Sequence, residues 1–306
     1  MPASPSATPD HIKDVNTRYH DAAAGSYDEK WGIDFGRNGR RQVESKVNKA
    51  LGYLPDRPFG DALEIGAGTG YFSLNLAAGG LIQNVTASDI SPGMLSSLSE
   101  TAERLAVPVR TAVCEAEVLP FDDASFDLVL GHAVLHHIPD LDRAFAEFFR
   151  VLRPGGLVVF CGEPSRHGDR LAMLPKLAGS VAAPAWRRLI RARPLEHSEQ
   201  QKADDEYSLE PEVDVHSFSP DELRAMTLRA GFTSTRVRGE ELVANLWGWV
   251  TRSMEATAEP ETVPRWWRHF AFRSYLSVQK IDSRVLEPHL PPELFYNLLL
   301  SAGKAA

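Results

Sequence analysis

Apolar positions along the chain alternate between two rhythms. "GDALEIG" (residues 60–66) is a short apolar run ending in glycine, as a buried strand does. "TGYFSLNLAAGG" (69–80) is apolar over two turns and closed by glycines, which predicts a helix. The rhythm then repeats. "NVTASD" is a strand, and "SPGMLSSLSETAERLA" a helix with Ser91 as N-cap and Pro92 at its first position. "VRTAVC" and "FDLVLGH" are strands separated by the loop "EAEVLPFDDAS". "DLDRAFAEFFRVLRP" is an amphipathic helix stopped by proline and two glycines, and "GLVVFCGE" is a fifth strand. Strands and helices in this order build βαβ units and a mostly parallel, doubly wound α/β sheet.

The alternation is interrupted twice. Residues 164–217 hold a basic helical half ("AWRRLIRARP") and an acidic, turn-rich half from Glu199 to Asp214, expected to be a mobile solvated loop. The pattern resumes with the capped helix "SPDELRAMTLRAGF" and the strand "FTSTRVRG", breaks again over the aromatic, helical residues 240–292, and ends in "LFYNLLLSAGK". That last run reads as a strand, although it also suits a short buried helix. Upstream, residues 1–9 form a Pro/Ser/Ala tail expected to be disordered, and 10–30 and 38–53 read as helices. The expected organisation is an N-terminal helical cap (1–55), a core (56–163, 218–239, 293–306) and two helical insertions (164–217, 240–292).

Composition narrows the function. The 306 residues are 43% hydrophobic and 24% charged, as in an ordinary globular protein, and a net charge of −8 disfavours nucleic acid as a partner. Two cysteines, Cys114 and Cys161, both lie in apolar runs, which suggests buried thiols in a reducing compartment. The start "MPASPSATPD" has neither the basic nor the apolar region of a signal peptide, and no apolar run reaches the ~18 residues of a membrane span. A soluble, cytoplasmic protein is the expectation. The sequence leaves its oligomeric state open.

The chemistry centres on "LEIGAGTG". Gly66, Gly68 and Gly70 lie between a strand and a helix, where a ligand can approach the backbone more closely than a Cβ would permit. Asp89 ends the next strand, 19 residues after Gly70 (89 − 70), where a carboxylate can take both hydroxyls of a ribose. The spacing is G-x-G-x-G, and Tyr71 stands where a dinucleotide fold has its third glycine. Glu64 would repel a pyrophosphate and suit an amino group. Both features argue against a nicotinamide-dependent oxidoreductase, one alternative on this fold. The ligand they suit is S-adenosyl-L-methionine, which carries an amine and a ribose but no phosphate.

From about residue 60 to 163 the chain resembles the class I S-adenosylmethionine-dependent methyltransferases, in particular the small-molecule branch that includes the ubiquinone and menaquinone methyltransferases. The motifs are "LEIGAGTG", "SDISPGML", "EAEVLPFDDASFDLVLGHAVLHHIPD" and "VLRPGGLVV". The resemblance implies a seven-stranded Rossmann-like sheet with its last strand antiparallel. It also implies that Glu64, Gly66 and Gly68 surround the methionine moiety and that Asp89 holds the ribose. Ile90 and Met94 would flank the adenine, Glu115 and Ala116 read its edge, and His132 close the pocket. Glu115 stands where the family usually has Asp. Tyr27 resembles a family aromatic over the cofactor; its plainer reading is a packed surface tyrosine. About fifty residues separate strands six and seven, where the family has a short turn.

Methyl transfer leaves a neutral thioether, so no general acid is needed, while a hydroxyl acceptor benefits from a base. Candidates follow strands four and five: His136 and His137 in "LHHIPD" and Glu163 in "FCGEPS". His136 is read as the base and Glu163 as its partner. Similar sugar O-methyltransferases place the partner one residue earlier, at Gly162 here. The expected activity is methylation, with oxygen the favoured acceptor atom, of a small amphiphilic or aromatic metabolite. A non-catalytic S-adenosylmethionine sensor is a further alternative. The insertions and N-terminal helices are expected to form a lid whose tryptophans (Trp31, Trp186, Trp247, Trp249, Trp266, Trp267) line an apolar cavity or fill a subdomain core. "AWRRLIRARP" and "RWWRHFAFR" interleave arginine with aromatics; they suit an anionic headgroup, peripheral membrane contact or plain solvated helix faces, with nucleic acid the least favoured.

Overall fold

The computed structural model describes residues 8–25, 27–28, 32–53, 55–195 and 215–306. Trp31 and the acidic run 199–214 lie outside the described residues, as does most of the N-terminal tail. Of that tail, Thr8 and Pro9 are described. The Thr8 hydroxyl caps α1 (Pro9–Ala23), which covers the first part of the predicted 10–30 helix. α2 (Arg37–Leu51) follows and ends on Gly52, whose φ of +83° suits a glycine C-cap.

β1 (Phe59–Ile65), α3 (Tyr71–Ala78), β2 (Ile82–Asp89), α4 (Pro92–Leu105), β3 (Val109–Val113), β4 (Phe126–His132), α5 (Leu141–Val151) and β5 (Leu152–Pro164) alternate as predicted. The Ser91 hydroxyl caps α4 through the N–H of Met94, with Pro92 just inside. The amphipathic helix stops at Val151, three residues before the predicted proline boundary. "RPGG" instead begins β5 as an irregularity: Phe126 pairs with Leu152, but Leu128 already pairs with Leu157.

The sheet is seven-stranded and mostly parallel, in the order β3-β2-β1-β4-β5-β7-β6, where β6 is Thr233–Glu240 and β7 Asn297–Gly303. The final apolar run is therefore a strand, not a helix. It runs opposite to β5: Gly155 N donates to Lys304 O at one end, and Ser165 N to Tyr296 O at the other. Side-chain alternation sorts the core. Leu128, Leu130, Val159 and Cys161 pack with Val43 and Val47 of α2 and Phe72 and Leu76 of α3. Phe160, of opposite parity, meets Phe145 and Phe148 of α5. Cys161 is buried as expected, whereas Cys114 is only partly so, because it lies just past the end of an edge strand.

The chain divides into two compact units. One comprises Met1–Glu163, Pro211–Arg238 and Leu299–Ala306, and so includes the N-terminal helices; α7 (Pro220–Arg229), closed by a capping box between Ser219 and Glu222, also belongs to it. The other comprises Pro164–Glu210 and Gly239–Leu298. Here the 25-residue α6 (Arg166–Ile190) packs along α8 (Val243–Glu255), followed by α9 (Arg265–Ile281). Asp282 accepts from the N–H groups of Val243 and Ala244 and so caps α8 from a distance in sequence. Trp186 and Trp267, 5.3 Å apart, are buried with Ala183, Ile190, Met254, Ala258 and Val263. These two tryptophans fill the unit's own core, as the plainer expectation held. Trp267 also donates to Glu255 (2.7 Å) and Trp247 to Ser274 (2.8 Å).

Candidate active site

The switch in strand order lies between β1 and β4; the predicted site residues other than Tyr27 lie at or just past the carboxyl ends of β1 to β5. The three glycines of the first turn all have positive φ, but for different reasons. A Cβ on Gly66 would come within 2.2 Å of Val134, and one on Gly70 would strike Leu74 and Leu98. Only at Gly68 would a Cβ meet open space. Two of the glycines therefore answer to protein neighbours, and one leaves room for a ligand.

Glu64 is fully buried near the end of β1 and accepts from Ser73 N (3.1 Å). Burial pushes its carboxyl up to about 8; the hydrogen bond from the Ser73 backbone N–H opposes the shift, and Asp89 reinforces it. Asp89 is also buried. Its Oδ2 accepts from Gly68 N (2.8 Å) and its Oδ1 from Ser91 N (2.9 Å). Burial raises its carboxyl as well, against the pull of those amides. Two buried carboxyls beside an open glycine offer acceptor oxygens that suit an ammonium and hydroxyl groups.

The remaining predicted contacts vary in placement. Met94 is entirely buried in α4, Ala116 is buried and Ile90 half-buried. Glu115 is half exposed and paired with Lys13 of α1 at 2.5 Å; the same ammonium reaches Glu117 at 3.2 Å. His132 stacks on Phe72 with ring centroids 4.6 Å apart, and its edge lies against Gly162, where a Cβ would come within 2.8 Å of Nε2. Tyr27 lies 6.1 Å from His20, which is 5.7 Å from His137, itself 4.0 Å from His136.

The loop after β4 is built around Glu163. This wholly buried carboxylate accepts from the N–H groups of Val134 (3.0 Å), Leu135 (3.1 Å) and His136 (3.3 Å) and from His136 Nδ1 (2.9 Å). A carboxylate only accepts, so Nδ1 carries the proton and Nε2 the basic lone pair. Just upstream, Ala133 sits at φ +52°, a left-handed conformation that costs a non-glycine residue of order 1 kcal/mol or more.

Three residues outside the predicted set tie α1 and the segment after it to this rim. Besides Lys13, Asp21 Oδ1 accepts from Ser91 Oγ (2.5 Å) and Gly93 N (2.9 Å), and Asp28 accepts from Thr69 Oγ1 (2.6 Å). These contacts span 41 to 102 residues of sequence, and no local pattern signals them.

The family described as a methyltransferase domain matches residues 63–160. The chain is 32% identical over 205 residues to a malonyl-[acyl-carrier protein] O-methyltransferase of Methylococcus capsulatus, covering 67% of this chain and 68% of that one. It is 37% identical over 118 residues to the ubiquinone/menaquinone biosynthesis C-methyltransferase UbiE of Methylobacterium nodulans, covering 38% and 46%. Across the malonyl-[acyl-carrier protein] O-methyltransferases it matches, the chain spans about half to two thirds of their length. Among solved structures, phosphoethanolamine N-methyltransferase 2 of Haemonchus contortus, in complex with phosphomonomethylethanolamine and S-adenosylhomocysteine, aligns with a TM-score of 0.58 at 18% identity. That alignment covers 98% of this chain and 61% of that one, a likeness of fold.

Proposed function

This chain belongs to the class I S-adenosylmethionine-dependent methyltransferases, and from that we propose that it transfers a methyl group to an oxygen of a small amphiphilic or aromatic metabolite. The cofactor's chemistry suits the donor set. Glu64 would hold its amino group, Asp89 its ribose hydroxyls, and the open face of Gly68 would admit its backbone-hugging part. When bound, the cofactor supplies an electrophilic methyl on a sulfonium.

The observation that carries the oxygen assignment is the 2.9 Å contact between His136 Nδ1 and Glu163. It supports a role for His136 as general base: Glu163 orients the ring, fixes the tautomer and stabilises the imidazolium that forms when Nε2 takes a proton. A hydroxyl or phenol needs such a base. A carboxylate acceptor, which the name of the malonyl relatives suggests, is already ionised at neutral pH and gains nothing from one. The histidine–glutamate pair therefore favours a hydroxyl. Positioning would supply most of the acceleration and the base about 10²–10⁴-fold.

The test has two parts. S-adenosylhomocysteine should raise the melting temperature, and NADH should not. Labelled S-adenosylmethionine should then methylate members of a hydroxyl-bearing panel, with the product identified by mass spectrometry. A shift with NADH alone, or label found only on carboxylates, would overturn the reading.

A further inference from the structure

α6 carries an apolar face that the second unit leaves uncovered. Met173, Leu174, Leu177 and Val181 are 70%, 68%, 63% and 74% exposed, and Leu189 is 80% exposed. The spacing is helical: 173, 177 and 181 recur by four, and 174 and 177 by three, so these side chains form one stripe. Ala178, Ala182 and Ala185 extend it, all exposed. The opposite side of the helix, with Ala172, Ala183, Trp186 and Ile190, is buried. Isolated apolar residues on a surface are ordinary, but a contiguous stripe of this kind marks an interaction.

The charges around the stripe say with what. Arg170 and Arg188, both exposed, are eighteen residues apart (188 − 170), which is five helical turns. They therefore lie on one line, about 27 Å apart, at the two ends of the apolar stretch. From Arg170 to Leu195 there are six basic residues and no acidic one, in a chain whose net charge is −8. A second copy of this helix would set like charge against like charge. No helix among the described residues is long and apolar enough to cross a membrane, so α6 is not a span in spite of its 25 residues. An apolar face bracketed by arginines on an otherwise acidic protein is the pattern of a helix lying in a bilayer interface, leucines among the acyl chains and guanidinium groups at the phosphates.

We infer that α6 docks this protein on anionic lipid bilayers. The inference is independent of the methyl-transfer reading, because binding can be measured without turnover. The full chain is floated with vesicles of equal parts phosphatidylglycerol and phosphatidylcholine, and with vesicles of phosphatidylcholine alone. It should float with the anionic vesicles, less so as salt screens the contact, and much less with the neutral ones. Leu177→Glu with Val181→Glu should lower the partition at least ~10-fold, since burying one leucine is worth about that much. Arg170→Glu with Arg188→Glu should weaken binding and flatten its salt dependence. All four positions are exposed, so unchanged melting temperatures would show that the variants are folded. Absence of flotation with anionic vesicles, or equal flotation of the Leu177/Val181 variant, would overturn the inference. So would a dimer, seen by light scattering, that those substitutions dissolve while the parent protein ignores vesicles; the face would then belong to a second copy.

Discussion

The N–H of Gly68 donates to Oδ2 of Asp89 at 2.8 Å, so the carboxylate that closes β2 also holds the glycine loop that closes β1. Asp89 thus shapes the loop it would share with the cofactor's ribose. Asp89→Ala is expected to weaken S-adenosylhomocysteine binding by roughly ten- to hundredfold, the ~1.5–3 kcal/mol typical of hydrogen bonds to a charged group. Titration calorimetry measures this directly. Unchanged affinity in a folded variant would reduce Asp89 to a loop support.

Glu64 makes binding depend on pH in a definite direction. Its carboxyl is raised from 4.5 to about 8 in the folded, ligand-free protein, chiefly by burial. The folded state therefore holds a proton that the unfolded chain releases above about 4.5. Its stabilising effect is complete below that value and is lost as pH rises towards 8, so this group lowers the melting temperature of the free protein over that window. An ammonium placed against Glu64 requires the ionised form. Cofactor affinity should therefore climb with pH, by up to about tenfold per unit, and level off near 8, with proton release on binding below it. Calorimetry in buffers of differing ionisation enthalpy reads the proton count. Glu64→Gln should abolish both the slope and the release; a slope that survives would move the ammonium elsewhere.

For His136 and Glu163, chemistry and architecture can be separated. With His136→Ala, Glu163 keeps the backbone N–H groups of Val134, Leu135 and residue 136, so the loop should persist. The expected result is a kcat lowered at least ~10-fold, with cofactor affinity unchanged. Glu163→Gln tests the positioning role: kcat should fall, with KM for the acceptor little changed. Full activity in His136→Ala would leave both residues as loop supports.

The order of strands and helices was legible because hydrophobic period and turn chemistry agree from Phe59 to Glu163. Ser91 and Pro92 announced α4, and the second-strand acid could be counted from the glycines. The boundary after α5 was less so. Pro154, Gly155 and Gly156 look like a helix stop, yet pairing with β4 draws Leu152 straight into the sheet and leaves the glycines in the irregularity behind it. The N-terminal fastenings were hidden for another reason. Lys13, Asp21 and Asp28 are ordinary surface residue types, and only their long-range partners Glu115, Ser91 and Thr69 give them a place in the site. The exposed stripe of α6 has no mark in the sequence: Met173, Leu174, Leu177 and Val181 are residue types that also build cores, and only the burial of Ala183, Trp186 and Ile190 on the opposite side of the helix sets them outside.

The glycine loop yields a last contrast, in which two neighbouring substitutions should fail in different ways. Gly66→Ala puts a methyl within 2.2 Å of Val134, in the loop that Glu163 organises, at a backbone φ of +57°. Strain and overpacking then add, and a loss of about 2–4 kcal/mol of stability is expected. Gly68→Ala bears only the conformational cost of φ +52°, of order 1 kcal/mol, since its methyl would meet no protein atom. It should melt only a few degrees below the parent, yet bind S-adenosylhomocysteine at least ~10-fold more weakly, because its methyl fills the space the ligand needs. Thermal unfolding and calorimetry on the two variants separate the cases. Equal binding by Gly68→Ala and the parent would mean that the open face of the loop is not where the cofactor lies.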